Sequence, residues 1–486
     1  MKNLVKYSAK ACTILLYFLP AILFFSYYPI ITVGRSDYMN LEFSLPEIWL
    51  IIFAILALPQ LKKLYKFYGP KKLAIAAVIP VFCFLSSIWS ANHLRAILTS
   101  GILSLLIFTV LNTVVLFKEH KNLRTDLIKV LLFSSAAISV ICWLQCILDI
   151  LGVPRSVTLL CEGGTYTAFG FPHPNGFAIE PQFMGNLLLV PVLLSFYAIF
   201  AHAYKNRGQK AALILLTTFL SATLFLTLSR GAIFSFGIGA IVLAIYCGIK
   251  KYNHFIKSLI TAIIILVASL GLTLTADGIF ASASPTNDIF ISGVTKAVHQ
   301  LSLGVIDIRP EEYKAEESTV SATTETTASE TAAGTISEPE TSTFSGYVAE
   351  STDTRLNLNA LAFGTWRSDP QYTFIGTGLG SAGIAMSKTY PEEIGPKEIV
   401  QNEYVSLLLE LGLIGCAIIL AVAIYAAIKL PKNPLFVAVI FAFAFSLLFF
   451  SGLPNALHVY IFPLLFATKD KLLVENKVKR HCNNRN

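Results

Sequence analysis

The chain has 486 residues, of which 55% are hydrophobic and only 14% charged, with a mean hydropathy of +0.66. A soluble domain carries about 25% charged residues, so this composition excludes a soluble protein and places the chain in lipid. The net charge of +8 does not mark a nucleic-acid binder. Most of the 37 Lys and Arg, and few of the 29 acids, fall in short polar connections on one side, which is the positive-inside pattern of cytoplasmic loops.

Backbone groups in hydrocarbon must be satisfied within the chain, which leaves helices or a closed barrel. A barrel shows alternating segments of about ten residues; here the apolar stretches are continuous and often close to twenty. The expected fold is therefore an all-α polytopic transmembrane helical bundle of about 12 spans, with one large extracytoplasmic loop. The spans fall near residues 11–33, 46–60, 73–90, 97–117, 130–151, 177–203, 211–228, 232–249, 258–275, 403–427, 434–451 and 458–468. MKNLVKYSAK and the apolar run after it read as an uncleaved first helix, because no small-residue cleavage site follows. The connections LKKLYKFYGPKK (61–72), KEHKNLRTDLIK (118–129), KNRGQK (205–210) and KKYNHFIK (250–257), with the tail from Lys469, are basic and read as cytoplasmic. Those near Arg35, Arg95, Arg155 and Arg230 hold one basic residue each and read as outer. Both termini are then cytoplasmic.

Three parts follow: a nine-span bundle over 1–275, an extracytoplasmic loop over 276–401, and the last three spans with a basic tail over 402–486. Within the loop, residues 316–346 are rich in Thr, Ser, Glu and Ala with almost no large apolar side chain. Such a stretch buries too little surface to fold and is expected to be a disordered insertion. Residues 288–308 read as an amphipathic helix. Residues 353–390 read as a helix on the membrane face, a turn at Asp369-Pro370 and a glycine-rich turn at Gly376, Gly378 and Gly380. Of the eight cysteines only Cys161 falls outside, so no disulfide is expected, and no His/Cys cluster points to a metal.

Four segments hold the candidate chemistry. In GFPHPNGFAIEPQFMGN (170–186), Glu180 and Pro181 fall inside an apolar run. A carboxylate there needs a partner or a cavity, and Pro181 frees a nearby carbonyl if the helix already runs through it; His173 and Asn175 precede them. TLSRGA (227–232) joins two spans with almost no loop and puts Arg230 at the outer interface. A guanidinium suits a phosphate oxygen pair because its donors form a rigid fork, although a snorkelling arginine also fits this position. In DTRLNLNALAFGTWRSDP (353–370), Arg355 stands early in a helical stretch and Arg367 twelve residues later. QNEYVSLLLELGLIG (401–415) opens a span with Gln401 and Asn402 at its start. Glu403 and Glu410, seven apart, share one face of that helix.

Taken together, SRGA, HPNGFA, a loop arginine followed by GTGLGS, and QNEYVSLLLELGLIG resemble the O-antigen ligase and O-antigen polymerase superfamily, in order, over about residues 155–465. The resemblance implies a membrane glycosyltransferase without metal or other cofactor. Its donor is an undecaprenyl-diphosphate-linked oligosaccharide, its acceptor a hydroxyl of a glycan, lipid or protein, and its setting membrane lipid, with no nucleic acid. The family's short-connection arginine falls on Arg230 and its loop-helix arginine on Arg355. Its E-x-G falls on Glu410 and Gly412, and its His-Asn pair on Gln401-Asn402. That last position departs from the pattern, because Gln401 cannot take a proton. The departure favours a polymerase over a ligase and moves the candidate base to Glu403, then Glu180, then His173. Arg230, Arg355, Glu403 and Glu180 are thus the expected catalytic residues. Arg367, Gln401, Asn402, His173, Asn175 and Glu410 are the expected substrate-binding residues. Two other readings stay open: a transporter or flippase of lipid-linked glycan, and a non-catalytic relative that only binds it.

Overall fold

A computed structural model describes residues 2–26, 29–33, 41–120, 122–151, 166–168, 171–178, 180–250, 254–283, 344–396, 398–429, 433–449 and 456–467. Its helices are α1 (Lys2–Ile22), α2 (Leu45–Ala57), α3 (Leu61–Ser86), α4 (His93–Glu119), α5 (Leu123–Ile150), α6 (Pro181–Phe200), α7 (Arg207–Leu226), α8 (Arg230–Ile249) and α9 (Phe255–Ala283). After the loop come α10 (Phe344–Ser368), α11 (Pro370–Ile375), α12 (Ala382–Thr389), α13 (Glu403–Lys429), α14 (Pro434–Ser446) and α15 (Leu457–Phe466). Among the described residues nine helical runs are long and apolar enough to cross a membrane, and α14 and α15 are shorter apolar helices. The protein is an all-α, multi-pass membrane bundle.

The hub is α6. It is apolar all round, as a helix enclosed by others must be, and every residue from Met184 to Phe200 is buried. Around it pack α5, α7, α8, α9 and α14. A second group forms where α13 packs on α3 and receives α10, α11 and α12 from the loop. Leu358, Leu361 and Ala362 of α10 meet Ala382 and Met386 of α12 and Leu409 of α13 in a small apolar core. The end of the bundle bearing residues 344–401 is called the loop end below.

Several sequence expectations need correction. The first span shifts toward the N-terminus: α1 starts at Lys2, a 3-10 turn ends at Phe25, and Pro29–Val33 forms strand β1 instead. Pro29 lacks a helical donor and Ile-Ile-Thr-Val favours extended backbone, so β1 pairs antiparallel with β2 (Leu41–Ser44). A second small hairpin joins β3 (Tyr166–Ala168) to β4 (Phe171–His173). The expected loop 61–72 is helical, and α2, one 3-10 turn and α3 make a single run bent at Gly69, whose φ is 72°. Pro181 does not interrupt α6 but opens it at the first helical position, where a missing N–H costs nothing. No carbonyl is freed there, and the expected start at 177 moves to 181. The last three residues of the insertion expected over 316–346 already belong to α10, and the rest of it, with 288–308 and Cys161, lies outside the described residues. The described cysteines form no disulfide.

Candidate functional site

Two polar knots stand at the loop end. The first surrounds the start of α6. Asn175 and Gly176 make the turn that precedes it, and Gln145 of α5 grips that turn with both ends of its amide. Its Nε2 donates to the Asn175 Oδ1 at 3.1 Å and to the Gly176 carbonyl at 3.0 Å, while its Oε1 accepts the Gly176 N–H at 2.9 Å. Asn175 is fully buried, so its side chain is spent on shaping the turn. The chain then enters α6 with Glu180 at the N-cap. Two residues on, the Gln182 Nε2 donates to the Glu180 Oε2 at 2.6 Å, and the Gln182 Oε1 accepts from the Arg355 Nη2 at 3.3 Å. A loop-helix cation and an α6 carboxylate are therefore joined through one amide.

The turn between α7 and α8 lies against the same part of α6. A Cβ on Gly185 would stand 2.8 Å from the Cβ of Ala232 and 3.2 Å from that of Ser229. Only a glycine admits this approach, which sets the first turn of α8 beside the first turn of α6. Ser229 caps α8 by accepting the Ala232 N–H, and half-buried Arg230 follows as its first residue. The end of α14 ties in the remaining element. Ser446 Oγ donates to Asn186 Oδ1 of α6, the Leu447 carbonyl accepts the Glu403 N–H at 2.9 Å, and Phe449 covers Gly231. Glu403 itself is buried at the start of α13. The elements that carry Glu180, Arg230, Arg355 and Glu403 are thus linked near one end of α6, through the Gln182–Arg355, Gly185–Ser229 and Ser446–Asn186 contacts.

The second knot is built from backbone. Gly412 has a φ of 63° and bends α13, which frees the carbonyls one turn earlier. The glycine-rich turn takes them: Thr377 N–H donates to the Leu409 carbonyl and Gly378 N–H to the Glu410 carbonyl, each at 2.9 Å. A Cβ on Gly376, where φ is 78°, would stand 2.2 Å from the Glu410 oxygen, so the turn fits no other residue. Its far side locks onto the α3–α4 connection. Ala91 N–H donates to the Thr377 carbonyl and the Trp89 Nε1 to the Ile375 carbonyl. The Glu410 carboxylate is enclosed here, accepting the Ala382 N–H at 3.4 Å and facing the Gly380 N–H, with Arg95 and Glu403 as charged neighbours.

This arrangement sorts the expected site residues. Glu180 and Arg355 share Gln182, Arg230 opens the helix packed beside it, and Glu403 opens α13 where its N–H meets the end of α14. Gln401 stands beside Glu403, with its Oε1 buried and without a hydrogen-bond partner among the described residues. Asn402 is the helix cap of α13: its Oδ1 accepts the Tyr404 and Val405 N–H groups at 3.0 and 3.3 Å. Glu410 belongs to the backbone knot rather than to an open site. Arg367 does not join. It is exposed, with its guanidinium 4.5 Å over the Phe363 ring. His173 is described only as backbone at the end of β4. Reading the sequence missed Gln182 and Gln145, the two amides that hold the site's parts in place. An amide inside an apolar run was the available signal. It also left Arg95 as a plain loop charge, although that residue lies beside the glycine turn. Comparison with protein-family models, with curated proteins and with solved structures finds no match to this chain.

Proposed function

We propose that this protein is a membrane glycosyltransferase of the O-antigen ligase/polymerase type. It transfers or polymerises glycan from an undecaprenyl-diphosphate-linked oligosaccharide to a hydroxyl of a glycan, lipid or protein acceptor. The supporting observation is the contact of Arg355 with Gln182 at the head of α6, beside the turn that carries Arg230. Two guanidiniums from separate elements, one on a loop helix, suit a diphosphate that arrives on a lipid. A diphosphate is already a good leaving group. The chemistry needs charge stabilisation on its oxygens as the anomeric C–O bond breaks, and forked donors supply it.

The acceptor oxygen attacks the anomeric carbon and gives up its proton. Gln401 cannot receive that proton. Glu180 and Glu403 can: Glu180 caps α6, and the Glu403 N–H is bonded to the end of α14, a helix that packs on α6. A partly desolvated carboxylate is a better base than one in water. In this reading Gln401 orients the acceptor through its buried Oε1. The reading also carries the orientation: twelve spans, plasma membrane, both termini in the cytoplasm and the loop end outside.

The test is transfer of radiolabelled lipid-linked oligosaccharide by the purified protein in proteoliposomes. Loss of product on Arg230→Ala and Arg355→Ala, with intact folding, is the expected result. Wild-type protein that moves the lipid across the bilayer but forms no glycosidic bond would replace this reading with the flippase. Cysteines introduced at Glu392 and Arg207 check the sidedness: an impermeant reagent should reach the first and not the second in intact cells.

A further inference from the structure

The loop-end surface carries an exposed apolar stripe. On α10, Leu356, Ala360, Phe363 and Arg367 follow one another at helical spacing and are exposed, while Leu358, Leu361 and Ala362 turn inward to α12 and α13. Trp366 joins this helix to α11 by donating from Nε1 to the Thr373 carbonyl at 3.1 Å. The next residue, Phe374, is 56% exposed. An exposed phenylalanine in an aqueous loop would be a liability; its surroundings explain it.

The backbone of Phe374 lies against the bend of α13, since a Cβ on Gly412 would stand 2.5 Å from the Phe374 carbonyl carbon. Lys429 closes α13 at the opposite end. A hydrocarbon core of about 30 Å spans about 20 residues of helix, which from Lys429 reaches about residue 409. Gly412 therefore lies at or just inside the edge of the core, and Phe374 lies beside it. The two helices that flank it also expose apolar side chains near this level: Leu413 and Ile414 on α13, and Phe84, Leu85 and Ile88 at the end of α3. Below α11, an apolar groove between α3 and α13 is lined by Ala77, Val81, Phe82, Leu85 and Ile418. Trp89, which holds the Ile375 carbonyl, stacks edge-on to the Phe82 ring of that groove.

We propose that the α10–α11 elbow is seated in the bilayer interface. Phe374 enters the hydrocarbon edge above the α3–α13 groove, Phe363 and Leu356 lie in the acyl boundary, and Arg367 reaches the phospholipid phosphates. Phospholipid is the occupant because Phe374 stands against a membrane span at the edge of its core, where that span and α3 also expose apolar side chains. An aromatic ring beneath an arginine is the usual chemistry of that zone. The elbow thus holds the helix that carries Arg355 at the depth where a lipid-borne headgroup stands. The inference depends only on the membrane bundle, not on the transfer reaction.

The experiment places one added tryptophan at a time in the full-length protein, reconstituted in proteoliposomes of phosphatidylethanolamine and phosphatidylglycerol. Emission is compared with that of the parent, which has four tryptophans. Phe374→Trp should add fluorescence that acyl-chain-brominated phospholipid quenches and aqueous iodide does not. Phe363→Trp should be quenched by lipid brominated near the headgroup. Glu392→Trp, on the exposed turn before α13, should respond to iodide alone. Iodide quenching of Phe374→Trp and Phe363→Trp equal to that of Glu392→Trp overturns the proposal. Shielding of both from lipid and iodide alike also overturns it, since a protein partner or a second copy would then cover the stripe. Phe363→Trp keeps the test decisive if Phe374→Trp does not fold.

Discussion

The two knots at the loop end use opposite means to do a similar job. At the bend of α13, glycines and backbone hydrogen bonds make a joint with no slack: φ is positive at Gly376, Gly378, Gly380 and Gly412, and main-chain atoms lie where a Cβ on Gly376 or Gly412 would go. At the head of α6, side chains make the joint. Gln182 spans Glu180 and Arg355 through two hydrogen bonds that a ligand can replace. The contrast separates scaffold from chemistry. Backbone joints store position, because many cooperative contacts must fail together. Side-chain joints between partly exposed groups can open at a cost of about 1 kcal/mol each. On the proposed reading the site admits a bulky lipid-linked glycan, and it is then expected at the second kind of joint and not at the first.

The sharpest way to break this comparison is Gly376→Ala. A methyl group 2.2 Å from the Glu410 oxygen, at a φ of 78°, combines overpacking with backbone strain, about 3 kcal/mol or more. Loss of monodisperse protein in detergent is expected; unaltered thermal unfolding would show that the joint has slack. Glu410→Ala comes next. It removes the acceptor for the Ala382 N–H and the negative neighbour of Arg95, at about 1.5–3 kcal/mol for hydrogen bonds to a charged group. Thermal unfolding should drop by several degrees, and transfer should fall only as far as folded protein does. A large loss of transfer by a protein as stable as the parent would move Glu410 into the chemistry.

At the other knot the signs should reverse. Arg230→Ala should leave unfolding nearly unchanged and reduce transfer at least tenfold, because a forked guanidinium–phosphate pair contributes about 1.5–3 kcal/mol. Arg230→Lys should recover only part of it. Equal activity of the alanine variant would remove Arg230 from the site. Gln182→Leu should have a smaller effect, about fivefold, because it removes two charge-assisted but partly exposed hydrogen bonds that position Arg355. It should be non-additive with Arg355→Ala in a double-mutant cycle, whereas strict additivity would mean the amide does not hold that arginine. The smallest effect is expected at Arg367, which is exposed on the protein surface and stacks on Phe363. Arg367→Ala should keep transfer within about twofold, and a tenfold loss would restore it to the substrate site.

Sequence alone determined what depends on near neighbours in the chain. Apolar run length dictated helices in lipid, since an unsatisfied backbone group there costs several kcal/mol. Asp369-Pro370 and the glycines at 376–380 both marked turns, because caps and positive φ are local matters, although at Asp369-Pro370 the turn also starts α11. Local reading failed where two local signals competed. Pro181 looked like an interruption of a span and is its first residue, and Pro29–Val33 looked like span and is strand. Tertiary structure decided which polar groups meet. Arg355 and Gln182 are 173 positions apart, Ser446 and Asn186 260, and no periodicity encodes a hydrogen bond between helices. It decided too that of two glutamates seven residues apart on one helix, Glu410 is enclosed by a glycine turn while Glu403 stands at the end of α14. A helix pattern says which face a side chain is on, but what that face meets is settled by close packing among helices, which depends on the shape of every neighbour at once.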